Sequence, residues 1–583
     1  ALVKNKVFYF VNAEYENISK PGLLWNSTQA GVDPNDPNTS RVLKSDLEAV
    51  SNHLKSKYGY ETGAFEGLGN FNTRNYKILG RIDWNINDMH KLSARYNYVK
   101  NNNDQATNGT SAPNPRSSSN RWSNNAMSYE NSLYSFENTV GSLSLELKSN
   151  LSSRMSNQLL VTATNIVDAR GSGSEPFPFV DIKKDGDQYI AFGYELFSWN
   201  NKVVNNTYSF IDNFTYNTKQ HTLTAGIAYD QMYVGNNFMR YGTSYYRYDS
   251  LSQFLNDEQP TVFAATYGYN GNNNPIAEMG FGQAAAYVQD EYRLNRQLKL
   301  IAGLRMDAPI YLTDAIANPG FSVYADPSTT PFKNAEGTEA FAYDPSKWPG
   351  TSLLWSPRVG FNYDIKGDKT MIVRGGTGIF TGRLPFVWYT NQVTNAYGLQ
   401  STITLDSKAE LDQYGITQFN PAWDGNYSKF PSEPDALPSS GGSYALVDPS
   451  FNFPQVWRTS IGIDYKLPFD IDFTADFIYT KSLNDIYQFD ANMAPSDTML
   501  FAGTAWERAG YTSSSARFNN SKVRNAIVLS NTNQGHGISA SFTLKKDFHN
   551  GLDLFVSYSY NNTMDITANP GSQAASAWSG NAI

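Results

Sequence analysis

Runs of alternating apolar and polar side chains recur along the whole chain, and the links between them are alternately short and long. A period of two is typical of β-strands with one apolar and one polar face. About fifteen runs can be counted, at roughly residues 4–15, 74–86, 90–100, 137–149, 153–168, 205–217, 220–234, 282–294, 297–309, 354–365, 369–381, 456–467, 470–481, 535–546 and 551–562. The short links are the polar turns NDMH, NTKQ, NRQ, KGDK, PFD and HNG. Because this pattern puts every long loop at one end, it predicts a transmembrane antiparallel β-barrel of the outer-membrane type, with long extracellular loops.

The hairpin at residues 75–99 indicates which face of the barrel contacts lipid. Ile78, Ile82 and Trp84 share one face, and Lys77 and Arg81 lie on the other. In a barrel strand the apolar side chains face lipid and the polar ones face an aqueous lumen. We therefore expect the lysine and arginine to line the lumen.

Composition supports β structure and excludes several kinds of protein. Mean hydropathy is -0.48 and no apolar run approaches the roughly 18 residues that a membrane helix needs. Aromatic residues make up 14% of the 583 residues, which favours strands. The net charge of -8, with no basic stripe, gives no footprint for nucleic acid. The absence of cysteine removes disulfides, thiolate metal sites and thiol nucleophiles.

The residues needed for catalysis or for metal binding do not occur in a recognisable arrangement. The five histidines are scattered singly along the chain, without the spacing of a metal site. Gly376 and Gly378 lie within a strand pattern rather than before a helix, which argues against a dinucleotide site. Asp185 and Asp187 fall in a polar turn without the spacing of a calcium loop. We expect no enzymatic activity, no cofactor and no metal.

One helix is predicted within the first long loop. Leu47, Val50 and Leu54 recur at helical spacing, Ser45 is placed to cap the start, and Gly59 is placed to end it. An amphipathic helix in a loop either packs on that loop or binds a partner, and packing is the simpler expectation.

Several motifs resemble one family. The segment AAAYVQDEYRLNRQLKLIAGLRMD at residues 284–307 resembles the strand-turn-strand hallmark of TonB-dependent outer-membrane transporters, with Met306 where an aromatic residue is usual. KNKVFYFVNAEYE, RIDWNINDMHKLSARYNYV, GRLPFVWYTNQ and the segment at residues 455–493 occur in the order found in the Oar-like subgroup, which is common in Bacteroidetes. The resemblance covers nearly the whole chain.

The resemblance implies a 22-stranded barrel, of which residues 1–583 would be part: about strands 3 to 17. A plug, an N-terminal regulatory-like domain, a TonB-contacting segment and the C-terminal strands would lie outside this chain. An odd, unclosed set of strands would leave unpaired edges in lipid, which agrees with this expectation.

The implied function is import of a bulky extracellular ligand, such as a peptide, an oligosaccharide or a metal chelate, driven by the TonB complex through the plug. The implied setting is the bacterial outer membrane, with lipid and lipopolysaccharide around the barrel. Two alternatives stay open: a non-transporting barrel subunit of a complex with other outer-membrane proteins, and a soluble secreted all-β binding protein.

Ligand contact is expected from aromatic and arginine side chains, because such residues dominate recognition surfaces. Two stretches carry them. The candidates are Arg240, Tyr241, Tyr245, Tyr246 and Tyr248 in FMRYGTSYYRYDS, and Arg383, Trp388, Tyr389 and Asn391 in GRLPFVWYTNQ.

Overall fold

The structure, a computed structural model, describes residues 2–33, 35–316, 332–395, 398–433, 442–520, 523–566 and 571–579. Its strands are β1 (Val7–Lys20), β2 (Asn26–Thr28), β3 (Thr39–Leu43), β4 (Phe71–Asn85), β5 (His90–Gln105), β6 (Met127–Ser128), β7 (Tyr134–Asn150), β8 (Met155–Ser172), β9 (Phe179–Lys184), β10 (Asp187–Phe192), β11 (Lys202–Asn217), β12 (His221–Asn237), β13 (Tyr245–Tyr248), β14 (Val262–Gly268), β15 (Ala277–Arg293), β16 (Leu298–Tyr311), β17 (Leu354–Asp364), β18 (Met371–Thr381), β19 (Gln400–Leu405), β20 (Gly442–Val447), β21 (Gln455–Leu467), β22 (Ile471–Asp490), β23 (Thr498–Leu500), β24 (Arg508–Gly510), β25 (Val523–Thr532), β26 (His536–Asp547) and β27 (Asp553–Met564). The α-helices of the same residues are α1 (Lys44–Tyr58), α2 (Leu251–Leu255), α3 (Val387–Asn395), α4 (Lys408–Gln413) and α5 (Ala574–Ser579).

One large antiparallel sheet dominates the molecule and has 17 strands. Two of these, β20 and β25, pair parallel with each other and extend the sheet beside the end of β22. The other fifteen form a meander in which each strand pairs antiparallel with the next, in the order β1, β4, β5, β7, β8, β11, β12, β15, β16, β17, β18, β21, β22, β26 and β27. The predicted strands and the predicted all-β fold are confirmed.

The links of this sheet confirm the alternation read from the sequence. The short turns span residues 86–89, 151–154, 218–220, 294–297, 365–370, 468–470 and 548–552, all at one end of the sheet, the turn end. The long links, which reach their greatest length at residues 382–454, all lie at the other end, the loop end.

The two faces of the sheet differ in chemistry as the hairpin at residues 75–99 predicts. Ile78 and Ile82 are each 48% exposed on the outer face. On the opposite face Lys77 forms an ion pair with Glu14 at 2.6 Å, and Arg81 forms one with Asp83 at 2.7 Å. Ion pairs and amide contacts of this kind continue across the inner face, so the sheet is apolar outside and polar inside.

The long links build a second, six-stranded sheet at the loop end, the loop sheet, in the order β19, β14, β13, β9, β10 and β6. Helix α1 packs on it with Leu47, Val50 and Leu54 fully buried. These three residues join a core that includes aromatic side chains of several loops, so the buried face of the helix is covered from within the chain.

The end of helix α1 is as predicted and its start is not. Gly59 takes a left-handed conformation (φ 69°), which a glycine adopts without strain, and its N–H donates to the Lys55 carbonyl. Leu43, not Ser45, is the N-cap residue, and no side chain caps the start. Strand β3 runs directly into the helix and leaves no room for a separate capping residue; the Tyr189 hydroxyl accepts from the Leu43 N–H (3.1 Å) and donates to Asp46 (2.7 Å).

Candidate ligand-binding cavity

A cavity of about 1030 Å³ lies at the loop end of the large sheet. One wall is made by the ends of β7, β8, β11 and β12, and the other by α3, α5, β19 and the paired strands β20 and β25. We call it the ligand cavity. Pockets for organic ligands typically measure roughly 300–1,000 Å³, so it can hold a ligand of substantial size.

The sheet register shows that the cavity lies over the polar inner face. Asn138 pairs with Asp168, Asp168 with Val203, and Val203 with Asn236. Paired residues of neighbouring strands share a face, and all four line the cavity. The Asn138 amide donates to Asp168 at 2.5 Å, which fixes the orientation of the carboxylate.

Two arginines and three aromatic rings form the polar end of the cavity. The Arg170 guanidinium lies 4.7 Å from the ring centre of Phe136 and 5.7 Å from that of Phe197. The Arg240 guanidinium lies 5.2 Å from the centre of the same Phe197 ring and 4.6 Å from that of Tyr241. Each cation is therefore held by aromatic faces, an attraction that is strongest where water is excluded.

The hydrogen bonding of the two arginines differs. Arg240 donates from Nε and Nη2 to the carbonyl oxygen of Ser111, at 3.0 and 2.8 Å, which joins two long loops. Nη1 of Arg170 is buried and has no hydrogen-bond partner among the described residues. Burial lowers the pKa of Arg240. The interaction with Tyr241 opposes this shift, and the charge of Arg116 adds to it. Burial raises the pKa of Tyr241.

Helix α3 supplies the inner side of the cavity. Asn391 lines it and donates to the carbonyl of Ser572 at 2.7 Å, while the Trp388 indole donates to the carbonyl of Gly571 at 3.2 Å. Tyr389 is fully buried on the other side of the helix, with its hydroxyl 3.0 Å from that of Tyr311. The helix thus couples the segment before α5 to the wall of the large sheet.

Three of the tyrosines predicted to contact ligand lie inside the loop sheet. Tyr245, Tyr246 and Tyr248 are fully buried. The Tyr245 hydroxyl donates to Asp181 at 2.9 Å, and that of Tyr246 accepts from Asn426 at 2.6 Å. In this arrangement these side chains stabilise the scaffold that supports the cavity.

The nine predicted residues therefore divide into groups, and ligand contact by any of them stays a prediction. Arg240, Tyr241 and Asn391 line the ligand cavity. Arg383 is exposed and forms an ion pair with Asp230 of the large sheet. Sequence reasoning missed Arg170 and Phe197, although an arginine at the end of an alternating run is a signal that could have been used.

The described residues contain no group of three or more histidine, aspartate or glutamate side chains that could hold a metal ion. None of the helices in this part of the chain has the length and apolarity required to cross a membrane.

Comparison with known proteins agrees with this architecture. Residues 2–582 match the family described as outer membrane beta barrel domain. No curated protein sequence matches the chain. The outer membrane transporter YddB from Escherichia coli has a similar structure, with a TM-score of 0.53 at 11% identity over 96% of this chain and 52% of that one. The siderophore receptor PirA from Acinetobacter baumannii gives 0.46 at 12% identity, over 97% of this chain and 58% of that one.

This chain spans about half the length of the YddB chain. At 11% identity, that likeness is one of fold alone. The family match covers nearly every residue, and the apolar outer face, polar inner face and segregated loops agree with it. The chain belongs to the outer membrane beta barrel domain family and is an integral protein of the outer membrane.

Proposed function

We propose that this barrel belongs to a TonB-dependent transporter that imports a bulky extracellular ligand through the ligand cavity. The observation that carries the proposal is the cavity itself, which lies at the loop end over the polar inner face. A ligand bound there has the extracellular loops above it and the lumen below it. A peptide, an oligosaccharide or a metal chelate is of suitable size.

The lining suits recognition of such a ligand. Arg170, Arg240 and Tyr241 combine charge with aromatic surface, and Asn391 and Gln400 offer amide groups. A concave site with a few fixed polar groups gives a ligand both burial and orientation. We propose Arg170, Arg240, Tyr241 and Asn391 as the main contacts.

In this proposal, the energy for release comes from the TonB complex, acting on a plug that the resemblance places before the barrel.

Further strands pair with β1 and β27, each of which has one partner strand in the described meander. An unpaired strand edge in lipid leaves backbone groups without hydrogen bonds, so pairing of both edges is required.

The test uses the full-length protein in cells and a matched pair of substitutions. Val203→Trp puts a large side chain into the ligand cavity, whereas Val161→Trp puts the same side chain on the outer face, where the valine is 41% exposed. We expect V203W to lower ligand uptake roughly tenfold or more while V161W leaves it unchanged. A protonophore should abolish uptake by the wild type.

Uptake equal in both variants would contradict the cavity as the route. Absence of any imported compound, together with stoichiometric copurification of other envelope proteins, would favour a non-transporting barrel subunit instead.

A further inference from the structure

A second cavity, of about 500 Å³, adjoins the first and is lined by three arginines, Arg116, Arg517 and Arg524. We call it the arginine pocket. Among the residues that the structure describes, no carboxylate lines it. Trp578, Phe518 and serine and asparagine side chains complete its wall.

Two of these arginines are held by backbone and aromatic contacts rather than by ion pairs, and the buried carboxyl of Asp490 interacts electrostatically with Arg517. Arg116 donates from Nε to the carbonyl of Ala112 at 3.0 Å. The Arg517 guanidinium lies 5.4 Å from the ring centre of Trp578 and 5.7 Å from that of Phe518. Its Nε is buried, and no described residue forms a hydrogen bond with it. In the described part of the chain, neither these three nor the two arginines of the ligand cavity form an ion pair.

The two cavities form one continuous region. Ser443, Asn525, Ala575 and Ser576 line both. Together they present five arginines and one carboxylate, Asp168, in a chain whose net charge is -8. Two further carboxyls lie behind the lining, Glu195 beside Arg170 and Asp490 beside Arg517. Five arginines gathered with these three carboxyls raise the free energy of the empty site, and an anion lowers it.

The arginines of the pocket come from distant parts of the sheet. Arg116 lies in the loop between β5 and β7, and Arg517 in the loop between β22 and β26; Arg524 lies on β25, within that second loop. Loops from well-separated strands meet over the inner face of a curved sheet, not over its lipid face. This placement favours a soluble ligand over a lipid headgroup.

We propose that the imported ligand is a polyanion, an inference that rests on the proposed function. One anionic group, a carboxylate or a phosphate, binds in the arginine pocket, and a second binds beside Arg170 and Arg240 in the ligand cavity. Arginine suits both groups because its planar fork can donate two parallel hydrogen bonds to them.

The test measures binding to the purified full-length protein. Residues 1–583 contain no cysteine, so Ser576→Cys, on an exposed position that lines both cavities, places an environment-sensitive dye there once any cysteine elsewhere in the full-length protein has been replaced by serine. The probes are citrate and pyrophosphate as anions and maltotriose as a neutral compound. We expect saturable binding of an anionic probe that weakens with salt, and no binding of maltotriose.

Matched arginine variants locate the site. Arg517→Gln and Arg524→Gln should each weaken anion binding about tenfold or more, while Arg524→Lys retains part of it. Arg154→Gln removes the same charge from the exposed turn at residues 151–154, at the turn end, and should have no effect. Equal binding by R524Q and R154Q, or maltotriose binding as tight as that of the anions, would overturn the proposal.

Two further outcomes separate this inference from the transport proposal. Import of a neutral compound that V203W blocks and R524Q leaves unchanged would overturn the anionic assignment and leave transport intact. Arginine-dependent anion binding without any import would support the anion site and overturn transport.

Occupation by bisphosphorylated lipid A in mixed micelles, with no binding of the soluble anions, would assign the arginines to lipid and overturn the ligand assignment.

Discussion

The ion pair between Arg121 and Asp181 holds the loop sheet together, and breaking it should loosen that sheet without affecting the barrel. Both side chains are buried, with exposures of 3% and 2%. Arg121 donates to both carboxylate oxygens of Asp181, at 2.8 and 2.7 Å. Gln188 and Tyr245 donate to the same carboxylate at 2.8 and 2.9 Å. Every acceptor direction of Asp181 is thus used within the sheet.

Asp181→Ala removes the counter-charge and leaves the Arg121 guanidinium buried. Removal of one partner from a buried pair costs about 3–5 kcal/mol. Such a loss should raise the rate of amide exchange in β9, β10 and β13 by roughly two to four orders of magnitude. Hydrogen exchange with mass spectrometry on the detergent-purified protein measures it, peptide by peptide.

A matched control distinguishes the buried charge from a general effect of losing a carboxylate. Asp412→Ala breaks the exposed pair between Lys408 and Asp412 in α4, whose side chains are 77% and 50% exposed. Water and salt screen such a pair, so we expect no measurable change in exchange. Exchange in β9 that is the same in D181A, D412A and the wild type would show that the Arg121–Asp181 pair does not stabilise the loop sheet.

The same pair should give the loop sheet a defined pH dependence. Burial raises the pKa of Asp181, but the charge of Arg121 and its hydrogen bonds outweigh this and hold the pKa below its ordinary 3.8. A lowered folded pKa means that the stabilisation is present above 3.8 and is lost as the pH falls through the folded value. Exchange in β9 should therefore accelerate at strongly acidic pH in the wild type, and much less in D181A.

Three further predictions concern other parts of the molecule. Gly193 has φ +103° and a Cβ there would overlap the Pro178 carbonyl, so Gly193→Ala should lower the temperature at which protease cuts the loops. Burial raises the pKa of Glu195 in the folded protein. The protonated carboxyl therefore stabilises the loop sheet below pH 4.5, the ordinary pKa, and this stabilisation is lost as the pH rises through the folded pKa. Glu195→Gln should abolish this pH dependence of the melting curve of the loop sheet. Ile82→Arg, on the lipid face three residues before the turn end of β4, should cost roughly 1–2 kcal/mol and reduce the heat-resistant barrel fraction on gels, unlike Asn97→Arg on the inner face.

The barrel strands could be predicted because lipid on one face and water on the other impose a strict period of two. The predictions fail where that period ends. The run predicted at residues 470–481 continues to Asp490 in β22, and the last residues of that strand are buried on both faces. Once loops cover both faces, side chains no longer alternate between apolar and polar, and the pattern disappears.

The loop sheet could not be read from local patterns. All four residues of β13 are buried, and the strand pairs parallel with β9 and antiparallel with β14. Its pairing with β9 joins different long loops, so no turn or periodicity in one segment indicates it. Helix α3 was missed for a similar reason, although Pro385 before it and the spacing of Tyr389 and Val393 are helix signals.

Only some of the residues that line the cavity could be predicted, because composition identifies the type of a residue but not the direction of its side chain. Tyr241 and Tyr245 lie in one aromatic stretch, yet one lines the cavity and the other binds Asp181 inside the loop sheet. Only the fold decides which of two such neighbours meets a ligand.

The most direct test of transport compares spent growth medium from cells with and without the full-length gene. If the barrel imports a ligand, at least one compound disappears only when the gene is present, and V203W or a protonophore prevents its disappearance. Identical spent media, under conditions in which the protein is present in the outer membrane, would contradict import through this barrel.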